Sequence, residues 1–167
     1  MKIELKNIKY CEAMSEETNA FTANLYINGK KVGYCRNQGI GGCTDYDTNS
    51  LENRKIITKA EKYCYSLPKI KWKSTEFNQK LETVIDQLFE DWLKAKEQKQ
   101  FEKRMLKAVL VGSPDENRSS YSYYNFRKPL SEIPTKLLQD AVNRIKSKIK
   151  NGNVILNTNL KVLGIQV

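Results

Sequence analysis

Alternating apolar and polar residues over the first 37 positions predict a three-stranded antiparallel meander. Residues 2–10 carry a short strand-like pattern, and residues 21–27 have an apolar residue at every odd position. Asn28-Gly29 separates this run from a second one at residues 31–36. An Asn-Gly pair between alternating segments is a strong hairpin signal, because both central residues of a type I′ turn need positive φ.

Apolar residues recur at helical spacing in three later segments. The first covers 51–65 after a capping residue at 49 or 50, the second starts at Ser74 and ends between 103 and 107, and the third runs from Pro134 to Asn151-Gly152. Short strands are predicted at 108–111, 121–126, 154–156 and 161–167. This order of elements predicts an α+β fold.

The length of 167 residues favours one compact domain. We expect a β-rich neutral part at 1–50 and a helix-rich basic part at 51–167. The formal net charge is +10, from 29 basic and 19 acidic side chains. Residues 94–167 hold 15 of the basic and only six of the acidic residues, whereas residues 1–93 hold 14 and 13. This asymmetry predicts a polyanion or an acidic protein groove as the partner of the C-terminal half.

The chain contains no histidine, which narrows the chemistry open to it. Ser–His and Cys–His pairs cannot form, and the commonest general base near neutral pH is missing. We therefore expect a protein that is not an enzyme and uses no cofactor. No apolar run approaches the roughly 20 residues that span a bilayer, and the start MKIELKNIKY does not resemble a secretory signal. A cytoplasmic location without membrane contact is expected.

All four cysteines lie in the first 64 residues, at Cys11, Cys35, Cys43 and Cys64. Their separations of 24, 8 and 21 residues contain none of the close pairs that are typical of zinc sites. Reduced, partly buried thiols are the favoured interpretation, and a zinc site or a disulfide framework is the alternative.

Two neighbouring segments define an alternative, enzymatic function. The loop Gly39-Ile40-Gly41-Gly42 is rich in glycine, like loops that bind phosphate through backbone N–H groups, but it lacks the GxxxxGK[ST] pattern. Asp45 and Asp47, together with Glu16 and Glu17, could ligate Mg²⁺. These residues would serve a metal-dependent nuclease or a nucleotide-processing enzyme. Solvated turn residues after a structural loop are the simpler interpretation.

The stretch 118–128 combines basic and aromatic side chains. Cations neutralise phosphates, and exposed rings stack on unpaired bases. In a strand, Tyr121 and Tyr123 share one face and Tyr124 and Phe126 the other, so one pair is expected in the core and the other exposed. The simpler interpretation is a strand with one buried aromatic face and an outer face at which many residue types are tolerated. The candidate binding residues of this stretch are Arg118, Tyr121, Tyr123, Tyr124, Arg127 and Lys128.

Two predicted helices carry series of basic residues, which in isolation are typical of a solvated face. If the two helices are neighbours, their basic surfaces form one groove for a polyanion. The candidate binding residues are Lys99, Lys103, Arg104 and Lys107 on the long helix and Arg144, Lys146, Lys148 and Lys150 on the last one.

Several runs of this chain resemble a group of small uncharacterised proteins from phages and other mobile elements of Bacteroidota. The runs are residues 15–21, 26–33, 41–42, 126–131 and 154–160. Small basic proteins of mobile elements are often inhibitors of host defence, and one anti-CRISPR protein from such bacteria acts on the RNA-guided RNase Cas13b. The resemblance therefore implies a defence inhibitor of the anti-CRISPR type, and it implies no catalytic residue.

These observations predict a non-enzymatic nucleic-acid- or ribonucleoprotein-binding protein of the bacterial cytoplasm. Its expected partner is RNA or an RNA-guided nuclease complex, bound by the basic C-terminal half through guide RNA or the effector. A structural or assembly protein, whose charge serves only solubility, is a further alternative.

Overall fold

A computed structural model describes residues 1–114 and 121–167, with Trp72 described by its backbone. Helices make up 39% and antiparallel strands 27% of the described residues, so the predicted α+β class is confirmed. The chain divides into two compact units, Met1–Lys94 and Ala95–Val167. The boundary between them falls within helix α2 (Leu81–Met105).

The first unit contains a four-stranded antiparallel sheet in the order β1-β2-β3-β4. Its strands are β1 (Ile3–Tyr10), β2 (Phe21–Ile27), β3 (Lys30–Asn37) and β4 (Asp45–Asp47). The predicted meander and its turn are confirmed, since Asn28 and Gly29 both have positive φ (48° and 82°). The fourth strand was missed because three residues show no periodicity.

Helix α1 (Leu51–Tyr65) and the start of α2 cover one face of this sheet. Ser50 caps α1 by accepting a hydrogen bond from the backbone N–H of Asn53, so the predicted helix and its cap are confirmed. The alternating apolar residues of β2 form the core with the inner faces of both helices, and the rings of Phe21 and Phe89 stack with centroids 4.0 Å apart.

The prediction that the long helix starts at Ser74 is wrong. Residues Ile70–Trp72 and Thr75–Phe77 form a separate hairpin, β5–β6, and α2 begins only at Leu81. Its strands are rich in aromatic and β-branched residues, which favour extended structure. Lys73 supplies the positive φ (53°) that the tight turn needs.

The second unit contains a three-stranded antiparallel sheet in the order β8-β7-β9. Its strands are β7 (Ala108–Gly112), β8 (Tyr121–Asn125) and β9 (Val154–Ile155), and its helices are the end of α2, α3 (Thr135–Lys146) and the short α4 (Asn159–Val162). All three strands occur where the sequence predicts them. Every residue of β7 is buried, as expected for a central strand covered on both faces.

Strand β7 has a different helix on each face. Ala108 and Leu110 pack against Phe101 and Met105 of α2. Val109 and Val111 pack in a second cluster, which includes Leu138, Val142 and Ile145 of α3. Because successive side chains of a strand point to opposite faces, α2 and α3 lie on opposite sides of the sheet.

The strand predicted at 161–167 is wrong, because the chain forms α4 and a glycine-terminated cap there. The N–H of Ile165 bonds to the carbonyl of Leu160 (3.0 Å), and Gly164 (φ 74°) bonds to Lys161 (3.1 Å). These two bonds define a Schellman motif, which ends a helix at a left-handed glycine. Its apolar contact is present as well, since Leu160 and Ile165 are buried in one cluster.

Candidate nucleic-acid interface

Four side chains form a layered arrangement from the core of the second unit to its surface. Phe101 is buried, and its ring meets that of Tyr121 edge-on with centroids 5.2 Å apart. Arg104 donates from Nη1 to the Tyr121 hydroxyl at 2.9 Å. The Cζ of Arg104 lies 5.2 Å from the ring centroid of Tyr123 and 5.7 Å from that of Tyr121. The guanidinium is thus held between two tyrosines on the α2 side of the sheet.

Strand β8 is an edge strand that exposes one ring on each face. Tyr123 is 50% and Tyr124 38% exposed, whereas Tyr121 and Phe126 are partly buried. The predicted division of these residues between two faces agrees with the register, in which Tyr123 lies opposite Leu110 and Tyr124 opposite Val109. The prediction of one core pair and one exposed pair is wrong, because each face carries one packed ring and one exposed ring.

Three further predicted cations lie at the end of β8, on the side where β7 begins. The N–H of Phe126 donates to the carbonyl of Lys107 at 2.8 Å, which extends the β7–β8 ladder by one residue. Arg127 and Lys128 follow directly, and all three cations are exposed. The fold therefore places the backbone of Lys107 beside the end of β8, which Arg127 and Lys128 follow, although about 20 residues of chain separate Lys107 from them. We call these three cations, with Arg104 and Tyr123, the β8-edge cluster.

Lys99 and Lys103 are exposed on α2 but face away from the sheet. Phe101 and Met105 pack toward β7, and at about 100° per residue Lys99 and Lys103 lie roughly opposite them. These two lysines therefore stand apart from the β8-edge cluster. Arg118 lies outside the described residues.

The four cations predicted for the helix after Pro134 form a different group, at the other end of the sheet. Arg144 and Lys146 end α3, and Lys148 and Lys150 lie in the segment that leads to β9. Strand β9 pairs with Val111 and Gly112, at the opposite end of β7 from Lys107. The predicted groove between two basic helices is wrong, because the sheet lies between α2 and α3. We call these four residues the α3 cations.

None of the predicted cations in the described part of the second unit forms an ion pair with a described carboxylate. Ion pairs of the first unit include Lys30 with Glu52 and Arg36 with Asp45. The cations without such a pair are Lys99, Lys103, Arg104, Lys107, Arg127, Lys128, Arg144, Lys146, Lys148 and Lys150. No described carboxylate neutralises these charges, although the guanidinium of Arg104 is engaged by Tyr121 and Tyr123.

Two acidic residues of the alternative function, Asp45 and Asp47, are engaged by arginines. Asp45 lies 3.7 Å from the Nε of Arg36, and Asp47 accepts hydrogen bonds from Arg54 and from the N–H of Thr48. Within residues 1–114 and 121–167, no group of three or more His, Cys, Asp or Glu side chains is placed to hold a metal ion.

The glycine loop is bonded to the protein through its own N–H groups. Gly39 donates to the side-chain oxygen of Asn37 at 2.9 Å, and Gly41 donates to the Thr18 hydroxyl at 3.4 Å. The Gly39 carbonyl accepts from three successive N–H groups, those of Glu16, Glu17 and Thr18, at 2.9, 2.9 and 3.2 Å. Two N–H groups of the loop are thus occupied internally, which favours a structural role over phosphate binding.

Two features of this region were missed at the level of sequence. The first is the role of Phe101 as the buried support of Tyr121, which the apolar stripe of the long helix indicates only as a core position. The second is Asn157, a buried side chain that links β7 to the end of α2. No periodic signal marks it, because its function depends on contacts about 50 residues away in the sequence.

Comparison with known proteins adds no relative. No family model, no curated protein and no solved structure matched the chain. Among the helices of the described residues, none combines the length and apolar character that crossing a bilayer requires.

Proposed function

We propose that this protein is a non-enzymatic nucleic-acid-binding protein of a mobile element, which inhibits an RNA-guided defence nuclease of the bacterial host. Its second unit binds guide RNA or the RNA-bearing effector in the cytoplasm and blocks function by occupancy, without chemistry. The observation that carries the proposal is the β8-edge cluster. An exposed tyrosine backed by Arg104 lies on β8, and three cations without a described carboxylate partner lie where that strand ends.

Counterion release supplies the binding energy in this proposal. Each phosphate that a Lys or Arg neutralises releases condensed ions, so affinity falls steeply with salt. Cations already engaged by carboxylates contribute less, because the ion pair must break first. Several cations of the first unit form ion pairs with described carboxylates, whereas none of the predicted binding cations in the described part of the second unit does, which favours the second as the binding unit.

The first test measures RNA affinity against salt concentration. The triple variant Lys107→Gln, Arg127→Gln, Lys128→Gln should lower the slope of log K against log salt by about 2, at roughly 0.7 per lost contact with a single strand. The matched control, Lys55→Gln, Lys59→Gln, Lys62→Gln, removes the same charge from exposed positions of α1. An equal loss of RNA affinity in the two triple variants would show that only the net charge of the protein matters. Absence of RNA binding by the native protein at low salt would refute the proposal.

A second test addresses the nuclease. Purified protein is added to an RNA-guided RNase with its guide, and cleavage of a labelled target RNA is followed. Inhibition should be strong for the native chain and for the α1 control, and weak for the β8-edge triple variant. Full inhibition by the triple variant would show that the β8-edge cluster does not act on the nuclease.

A further inference from the structure

Tyr123 differs from the other exposed tyrosines because a cation holds its ring from one side. Tyr34 and Tyr65 are exposed to a similar or greater extent, 47% and 62%, without a ring or cation contact among the described residues. Behind Tyr123, Arg104 is fixed by its hydrogen bond to Tyr121. Tyr123 remains 50% exposed, so the supported ring presents a surface rather than filling space.

We infer that Tyr123 is a stacking platform for an unpaired base, and that the ligand of the β8-edge cluster is a single-stranded nucleic acid. The inference rests on the proposed function and names its substrate class. An aromatic ring stacks on any base, because every base has a π-face, so the platform requires an accessible base rather than a particular sequence. In a duplex the base faces are covered by neighbouring pairs.

Arg104 acts as a positioning residue for this platform. Its planar guanidinium is pre-organised to bond one tyrosine while lying over another. A lysine at the same place keeps the charge but cannot provide that planar contact. The ring of Tyr123 would then lose its support, while the attraction of the site for phosphate would remain.

The cations extend the site along the strand. Arg127 follows Tyr123 by four positions, roughly 13 Å in extended chain, and Lys107 is joined to this end of the strand through the Phe126 N–H. A strand of nucleic acid that places a base on Tyr123 can therefore continue toward Lys107, Arg127 and Lys128 with its phosphates. Charge sets affinity for any polyanion here, and the ring adds the preference for single strands.

The experiment compares a short fluorescein-labelled oligouridylate with an RNA duplex that has the same number of phosphates. In fluorescence anisotropy, Tyr123→Ala should weaken oligouridylate binding by about 5- to 150-fold, the range expected for one stacked base, and leave duplex binding unchanged. Tyr123→Phe should retain the native affinity, because the ring is kept. Tyr34→Ala, which removes an equally exposed ring from β3, should have no effect.

Equal losses for both ligands, or no loss with Tyr123→Ala, would overturn the stacking platform and leave charge-driven binding intact. Failure of both RNAs to bind native protein at low salt would overturn the proposed function itself, so the two failures are distinguishable. Arg104→Lys should weaken oligouridylate binding without changing the salt slope. Arg104→Gln removes the charge as well, and a salt slope lower by roughly 0.7 in that variant would show that Arg104 binds phosphate directly, which contradicts the positioning role.

Discussion

The side-chain oxygen of Asn157 accepts a hydrogen bond of 2.6 Å from the backbone N–H of Leu110, in the interior of the second unit. The amide nitrogen of the same side chain donates to the carbonyl of Ala108 at 2.9 Å and lies 3.4 Å from that of Met105. Strand β9 ends at Ile155, so Asn157 takes over the pairing of β7 where the ladder stops. It also occupies a carbonyl at the end of α2, just after Arg104.

Replacing Asn157 by alanine should therefore destabilise the second unit. A buried N–H or carbonyl left unpaired costs about 1–3 kcal/mol, and at least two such groups lose their partner, so the free energy of unfolding should fall by about 2 kcal/mol or more. Urea denaturation followed by circular dichroism measures the change. Asn153→Ala, at an exposed position of the preceding turn, is the matched control. Equal stability of the two variants would contradict this account of Asn157.

The elements that the sequence predicts correctly are those whose signals are local. Ser50 as a helix cap, Asn28-Gly29 as a turn and the apolar stripe of α3 each depend on neighbouring residues. The hairpin at 70–77 was not predicted, because the apolar side chain of Phe77 also fits the apolar stripe of a helix. The strand predicted at 161–167 is wrong, because Gly164 ends a helix there. That role becomes recognisable only once Leu160 and Ile165 are known to be buried together.

The candidate site is predictable in its residue types but not in its arrangement. Charge and aromatic content single out Tyr123, Arg127 and Lys128, and alternation assigns the faces of β8. That Arg104 supports Tyr123, and that the sheet separates α2 from α3, depends on the pairing of β7 with two strands. No local pattern encodes pairing between segments so far apart in the chain.

Asp86 of α2 is a partly buried carboxylate, and we predict that it makes stability depend on pH. Burial is the main cause that raises its pKa above the ordinary value, Glu82 and Glu90 add to the rise, and the hydrogen bond from Thr44 opposes it. The folded state therefore binds this proton more tightly than the unfolded chain does. The stabilisation from the protonated Asp86 carboxyl is fully present below the pKa that this group has in the unfolded chain. It is lost as the pH rises through the higher pKa that the group has in the folded protein.

Asp86→Asn should remove that pH dependence while its side-chain oxygen still accepts from Thr44. The gain in free energy of unfolding over native protein should be larger at pH 7 than at pH 4, as measured by urea denaturation at both pH values. Asp91→Asn removes the same charge from an exposed position of α2 and serves as the control. A gain that is the same at both pH values would contradict the role of Asp86.

The glycine loop offers a test of structural rather than phosphate-binding function. Gly39 has a φ of 88°, and a side chain there would fall on the carbonyl of Met14. Gly39→Ala should reduce the free energy of unfolding by about 1–3 kcal/mol, the cost of a strained backbone position. Gly42→Ala should change it little, since no atom lies within 4 Å of the added methyl group. Thermal unfolding of both variants measures the contrast, and equal melting temperatures would refute it.

The four cysteines should react with a thiol reagent in two classes. Cys35 and Cys64 are fully buried, and burial is the main cause that raises the pKa of both thiols, that of Cys35 to about 12. Cys11 and Cys43 are exposed. Because the thiolate is the reactive form, Ellman's reagent at pH 8 should modify the two exposed thiols of native protein quickly and the buried pair only after denaturation. Rapid reaction of all four would show that the core of the first unit opens readily.

The α3 cations should contribute to RNA binding only when the RNA is long. Arg144, Lys146, Lys148 and Lys150 lie at the other end of the sheet from Lys107, and α3 lies on the opposite face from Arg104. A short oligouridylate that occupies Tyr123 cannot cover both groups of cations, whereas a longer strand can pass from one group to the other.

Replacing all four α3 cations by glutamine should therefore leave the affinity for a short oligouridylate nearly unchanged. The same variant should lower the salt slope for a long single strand by roughly 0.7 per lost contact. Anisotropy titrations over a series of RNA lengths measure both effects. If the short ligand lost as much affinity as it does in the β8-edge triple variant, the two groups of cations would form one site, in conflict with their separation by the sheet.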